Sequence, residues 1–326
     1  MDEAALIDRL RLLATHEAAC ELRDDVAVLS PPLGRDLVLT HDMMVEGVHY
    51  LPDDAAGDVA WKLLAVNLSD LASKGAVPVG ALLGFTLGDD QWDRDFIDGL
   101  GRALAHFGTA LLGGDTVSPG RRGAPRVLGL TAIGHVPASG VPKRTGARAG
   151  DDLWVTGTIG DAGVGLAIAR SGVGSTGADP AAERRLARRY RLPMPRLKAG
   201  QALAPLASAM MDISDGLLVD AQRMAVASGV QTCIDLALVP LSDALVAVAS
   251  NDVAARLAAA TAGDDYELLF AAAPGNADAV RQIALKLRMS IQCIGKITDG
   301  AGIRLMNGAD ELPLPDHVGW QHRPEA

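Results

Sequence analysis

Short apolar runs and amphipathic stretches alternate along the chain, and the pattern predicts an α+β protein. Residues 3–15 read as a helix, and the apolar runs over 25–29 and 36–40 as strands. The segment 58–73 reads as a helix whose Val59, Leu63 and Val66 share one face at spacings of three and four. A second amphipathic helix follows over 89–107, through Phe96, Leu100 and Leu104, and then a strand over 126–134. The stretch 137–152, rich in Gly, Pro and basic residues, interrupts the pattern. Beyond it come a strand over 153–156, helices over 161–170, 181–191, 195–208, 216–227 and 241–260, and strands over 232–235, 268–272 and 291–297. The stretch 172–180 reads as a loop. Each half has strands and helices of its own, so two domains are expected, 1–137 and 138–326.

With aromatic residues at only 3%, the core must be built from Ala, Val, Leu and Ile. No apolar run reaches the roughly 18 residues that span a bilayer. The first residues carry Asp2, Glu3 and Asp8 and do not read as a signal peptide. Cys20, Cys233 and Cys293 are odd in number and widely spaced, which fits neither a disulfide framework nor a zinc site. A cytoplasmic protein with no membrane partner is expected. The net charge of -10 argues against a nucleic-acid partner. Acids can still bind phosphates when metal ions stand between them, so their placement matters.

Several carboxylates stand where solubility would not put them. Asp24 and Asp25 precede an apolar run, and Asp42 ends another. Asp70 continues the apolar stripe of the 58–73 helix, together with Asn67. Asp115 follows Gly113 and Gly114, and Asp212 and Asp215 lie where an apolar run ends in a turn. Any one of these reads more simply as a cap or turn residue, and Asp215 could cap the helix starting at Gly216. Together, in both halves of the chain, they read as a shared metal cluster, because a buried unpaired carboxylate costs several kcal/mol. Hard oxygen donors suit magnesium, not zinc. No Gly-x4-Gly-Lys-Ser/Thr phosphate loop is present, and the turn 157–161 does not match a dinucleotide fingerprint. The arginines at 184, 185, 188, 189, 191 and 196 read most simply as a solvated basic face.

Taken in order, the motifs DDVAVL (24–29), DMMVEGVHY (42–50), KLLAVNLSDLA (62–72), GGDT (113–116), KRTG (143–146), GDAG (160–163), DISDGL (212–217) and GDDYEL (263–268) resemble the thiamine-monophosphate kinase family. That family shares the fold of aminoimidazole ribonucleotide synthetase. The resemblance implies an N-terminal domain whose sheet forms a homodimer interface and a C-terminal α/β domain. It also implies ATP-dependent phosphorylation of thiamine monophosphate to thiamine pyrophosphate. By the same resemblance Asp25, Thr40, Asp42, Asp70, Asp115, Asp212 and Asp215 would hold several magnesium ions. Gly114, Arg144 and Ser214 would contact ATP, and His49, Asp264 and Trp320 the thiamine phosphate.

Three positions depart from the family pattern. Arg23 replaces the usual Gly before the paired Asp, and Asp264 replaces a Glu. His41 stands inside the usual Ser/Thr-Thr-Asp, where it could ligate metal through its imidazole or its backbone carbonyl. The competing readings are a sibling ATP-using enzyme of the same fold and a non-catalytic metal-binding module.

Overall fold

The computed structural model describes residues 2–121, 123–138 and 140–321. The chain divides into two compact units, Met1–Leu71 with Ala76–Gly140, and Ala72–Gly75 with Val141–Ala326.

In the first unit, helix α1 (Glu3–Arg11) is capped by Asp2. It is followed by strand β1 (Arg35–Val45), helix α2 (Ala56–Ser73), strand β2 (Val77–Thr86), helix α3 (Asp90–Phe107), and strands β3 (Ala110–Val117) and β4 (Val127–Pro137). The four strands form one sheet in the order β1-β4-β2-β3. β4 runs antiparallel to β1 and β2, whereas β3 is parallel to β2. One face of the sheet packs on the helices, as the rings of Phe85 and Phe96 show at 5.0 Å. A Cβ on Gly99 would lie 2.3 Å from the Gly57 Cα, so glycine lets α2 and α3 touch there. The other face is open: Leu37, Leu39 and Met43 are exposed along β1.

Two strands of this sheet escape the hydrophobic pattern. β2 contains Pro78, Gly80 and Gly84, and β3 contains Gly113 and Gly114; such residues read as loop, yet both strands pair through a register shift. The strand expected over 25–29 does not form. Val26 and Val28 are exposed, and the Val28 N–H donates to the Ala18 carbonyl at 3.0 Å instead of to a sheet neighbour.

The second unit holds β5 (Asp152–Thr156), α4 (Asp161–Ser171), α5 (Pro180–Arg191), α6 (Leu197–Leu203), β6 (Ala207–Ile213), α7 (Leu217–Ser228) and β7 (Gln231–Asp235). Then come α8 (Asp243–Ala249), α9 (Val253–Thr261), β8 (Glu267–Ala272), α10 (Ala277–Leu287), β9 (Ile291–Thr298), β10 (Gly302–Asn307) and β11 (Asp310–Leu312). Its seven-stranded sheet has the order β11-β10-β7-β9-β5-β8-β6. Apolar clusters cover it, one including Met211, Leu217, Leu218 and Leu269, the other Trp154, Met210 and Phe270.

The helix expected over 195–208 is short, and its end becomes β6. Ala and Met favour a helix locally, but pairing with β8 overrides that preference. The helix expected over 241–260 is two. Ser250 adopts φ 80°, and the Asp252 side chain caps α9 by accepting from the Ala255 N–H at 2.9 Å. This pair is bent by 118°, and no single helix among the described residues is long and apolar enough to cross a membrane. Helix α10 was not foreseen, and Val280 is its one fully buried residue.

Candidate active site

In the first unit the alternation of β1 sorts its residues by face. Thr40 and Asp42 are half-buried on the helix-covered side, where α2 presents Asn67 and Asp70 one turn apart. The Thr40 hydroxyl donates to Asp70 Oδ2, and the Asp42 N–H donates to Asn67 Oδ1 at 3.0 Å. Asn67 is buried, and its amide donates in turn to the Leu63 carbonyl at 3.0 Å. Strand and helix thus bring together three residues expected as metal ligands, Thr40, Asp42 and Asp70.

His41 points the other way. Its Nδ1 lies 2.9 Å from Thr131 Oγ1 on the open face, so its imidazole is not part of that group. Asp115 is exposed on β3, in register with Gly84 and through it with Gly129 and Met43. That register places it on the open face as well. Gly114 has a steric requirement, because a Cβ there would stand 1.9 Å from the Leu83 carbonyl oxygen. Asp25 is exposed in the irregular segment before β1, and Arg23 pairs with Glu21 at 3.2 Å. His49 is fixed by its surroundings: Nδ1 accepts from the Val45 N–H at 3.0 Å, and its carbonyl accepts from Lys62 Nζ at 3.1 Å. With Nδ1 accepting, the ring proton resides on Nε2.

In the second unit three distant segments meet at the end of β6. The Asp264 N–H donates to the Ser214 carbonyl and the Tyr266 N–H to the Ile213 carbonyl, both at 2.8 Å. The Trp320 N–H donates to the Asp215 carbonyl at 2.8 Å, and the Val219 N–H to the Val318 carbonyl at 3.1 Å. Glycines permit this closeness. A Cβ on Gly263 or Gly319 would lie 2.7 Å from the carbonyl oxygen of Ser214 or Asp215 respectively. Asp264 and Tyr266 adopt left-handed φ values of 71° and 51°, which few non-glycine residues do. The Tyr266 hydroxyl donates to Asp264 Oδ1 at 3.0 Å. Ser214, Asp215, Asp264 and Trp320, read from separate motifs, are thereby neighbours. Asp212 is buried at the end of β6. Arg144 is exposed beside β6, where the Met210 N–H donates to the Lys143 carbonyl at 3.2 Å.

Sequence reasoning missed Asp220 and Arg223. Asp220 is buried on α7, and one of its oxygens accepts from the N–H groups of Ser214 and Asp215, both at 3.1 Å. Burial pushes its carboxyl up to about 6, against the pull of Arg223 and of the Asp215 N–H. Arg223 Nη1 reaches Asp215 Oδ2 at 2.5 Å and Asp220 Oδ1 at 2.7 Å. A signal was available: Asp220 stands on the same helical stripe as Leu217, Ala221 and Met224, the criterion that singled out Asp70.

The arginine-rich stretch divides. Arg184, Arg185 and Arg188 are exposed, as a solvated face requires. Arg189 and Arg196 are not part of that face: they converge on the buried Glu267. Arg189 Nη2 donates to Glu267 Oε1 at 3.0 Å, Arg196 Nε to Oε2 at 2.6 Å, and the Thr156 hydroxyl to Oε2 at 2.7 Å. Asp265 is buried too, accepting from the Gly160 N–H at 2.7 Å. Burial lifts its carboxyl well above the ordinary value.

Among the described residues, no group of three or more His, Cys, Asp or Glu side chains forms a metal cage. Magnesium does not need one, since it is commonly held by one or two carboxylates plus the phosphates of its substrate. Within the first unit the oxygen donors of Thr40, Asp42 and Asp70 fit that mode, and within the second those of Asp212 and Asp215 do.

Residues 23–136 match the family described as AIR synthase related protein, N-terminal domain, and residues 148–307 its C-terminal domain. The chain is 39% identical over 322 residues to the thiamine-monophosphate kinase of Escherichia coli K12, covering 98% of this chain and 96% of that one. Among solved structures it is similar to the thiamine-monophosphate kinase of Stenotrophomonas maltophilia K279a, with a TM-score of 0.83 and 37% identity over 94% of this chain and 96% of that one. It is also similar to AaThiL complexed with AMPPCP and TMP, with a TM-score of 0.76 and 27% identity over 98% of this chain and 97% of that one.

Proposed function

This chain belongs to the AIR synthase related proteins and, within them, to the thiamine-monophosphate kinases, and from that membership we propose how it works. As a thiamine-phosphate kinase it passes the terminal phosphoryl group of ATP directly to the phosphate of thiamine monophosphate, giving thiamine pyrophosphate and ADP. The observation that carries this reading is the meeting of Asp215, Asp264 and Trp320 at one end of the second unit's sheet.

The acceptor, a phosphate monoester with a second pKa of about 6, is largely dianionic at neutral pH and needs no base. The difficulty lies in bringing two polyanions together, so the protein's task is charge neutralisation and in-line positioning. Thr40, Asp42 and Asp70 within the first unit, and Asp212 and Asp215 within the second, would each hold magnesium, while Asp25 lies in the segment before β1 and Asp115 on the sheet face opposite the first group. When bound, the magnesium ions supply the positive charge that offsets the phosphates. Gly114, Arg144 and Ser214 would meet ATP. The substrate's thiazolium is a permanent cation, and an aromatic face with a nearby carboxylate attracts it. Trp320, 52% exposed, offers the face, and Asp264, held by Tyr266, offers the carboxylate. His49, with its proton on Nε2, offers a donor to the substrate phosphate.

The open sheet face of the first unit suits a second copy of the chain, because Leu39 and Met43 are 60% and 54% exposed there and Leu37 extends the row. Leu39→Asp should shift a homodimer toward monomer in sedimentation velocity. An unchanged mass would remove this face as the interface.

The function is tested by incubating purified protein with ATP, magnesium and thiamine monophosphate, with free thiamine and aminoimidazole-pathway substrates as controls. Thiamine pyrophosphate formed from the monophosphate alone is expected. If a control substrate were turned over instead, the reaction would be that of a sibling enzyme.

A further inference from the structure

Asp215, expected as a metal ligand, already carries a cation of the protein's own. Arg223 Nη1 stands 2.5 Å from its Oδ2. The same nitrogen is tied to Asp220 Oδ1 at 2.7 Å, one helical turn before Arg223 on α7. Asp220 is a rigid support: it is fully buried, and its other oxygen is occupied by the Ser214 and Asp215 N–H groups. The two ends of the bridge therefore differ. The Asp220 end is enclosed, whereas the side chains of Asp215 and Arg223 are 28% and 37% exposed. The Asp215 backbone is pinned by the Trp320 N–H, so only its carboxylate and the guanidinium have room to move.

We propose that Arg223 is a built-in counter-cation that competes with the divalent metal for Asp215 and yields it when nucleotide phosphate arrives. Without nucleotide, the guanidinium neutralises Asp215 and keeps the metal from binding there. A guanidinium makes strong, directed bonds to phosphate oxygens. With Asp220 as its anchor, Arg223 turns from the Asp215 carboxylate to a phosphate oxygen, and Asp215 becomes available to the metal that accompanies the nucleotide. Metal and nucleotide binding at this point are then positively coupled, each strengthening the other by the same factor. This inference rests on the assignment of Asp215 as a metal ligand.

The test is a manganese titration of the full-length protein, followed by electron paramagnetic resonance of free Mn2+ and by calorimetry. Wild type, Arg223→Met and the double variant Arg223→Met/Asp215→Asn are compared with and without a non-hydrolysable ATP analogue. Met retains an unbranched apolar stem and removes the charge. Without nucleotide, Arg223→Met is expected to bind manganese about tenfold more tightly at its weakest site, or to gain one site, a change of about 1.4 kcal/mol. The gain should vanish in the double variant, and the ATP analogue should bring wild type to the same occupancy. Arg223→Lys keeps the charge at a shorter reach, without the planar fork that suits phosphate, so it should show a smaller gain and serves if the Met variant does not fold. Superposing isotherms for wild type and Arg223→Met would overturn the proposal, as would a gain that survives loss of Asp215. Because this readout involves no turnover, it stands apart from the kinase assay. A wild type that makes thiamine pyrophosphate while the isotherms superpose would refute the inference alone.

Discussion

Asp264 and Asp265 are consecutive in the chain, yet their surroundings differ. Asp264 is half-buried, held by the Tyr266 hydroxyl beside the end of β6. Asp265 faces inward, fully enclosed, and accepts from the Gly160 N–H. Two residues on, Glu267 is also buried and carries two arginines and a threonine hydroxyl. The left-handed φ at 264 and 266 sets this alternation before β8 begins. Residue type alone does not divide these acids: Asp264 keeps a partly exposed carboxylate, whereas Asp265 and Glu267 are enclosed and paired within the unit. Asp215 and Asp220 repeat the contrast, one partly exposed and one enclosed.

On the proposed function, substitutions at ligand-binding acids and at fold-holding acids should fail in different assays. The largest effect is expected at Asp212, buried at the end of β6. Asp212→Asn should lower turnover by a factor on the order of 10² to 10³ while the protein melts close to wild type, because charge positioned for the transition state is lost. Near-normal turnover would remove Asp212 from the site.

Glu267 should behave in the opposite way. Glu267→Ala leaves Arg189 and Arg196 without their shared partner and should cost about 3–5 kcal/mol in urea unfolding. A variant as stable as wild type would show that the buried pairing contributes little.

Tyr266→Phe removes one hydrogen bond to the Asp264 carboxylate, worth about 1 kcal/mol. The KM for thiamine monophosphate should rise about fivefold with kcat nearly unchanged. A fall in kcat alone would assign Tyr266 to the chemical step.

A pH dependence follows from the burial of Asp265, which fixes its sign. Burial raises the Asp265 carboxyl in the folded state, so the native chain holds this proton above the pH at which the unfolded chain, with a pKa of about 4, has released it. Its contribution to stability is therefore greatest below that value and is lost as pH rises. Asp265→Asn cannot ionise, so its stability relative to wild type should improve between pH 4 and pH 8. Denaturant titrations at both ends check the sign.

The helices at 58–73 and 89–107 were legible because their apolar stripes follow the helical period. Asp70 and Asn67 were legible on the same ground, as polar residues on a stripe that must be buried. β2 and β3 were not, since their glycines and Pro78 are tolerated only because neighbouring strands absorb the register shifts. Arg189 and Arg196 looked like surface charge, because nothing local indicates that Glu267 lies between them.

The sequence by itself determined the amphipathic helices at 58–73 and 89–107 and the motifs that carry the family resemblance. All of these depend on residue identity and short-range spacing. Tertiary structure alone decided that residues 214, 264 and 320 are neighbours, that His41 and Thr40 point to opposite faces, and that Asp215 carries Arg223. Those facts depend on which chain segments pack together. That packing is set by burial and steric fit summed over the whole unit, which no local window contains.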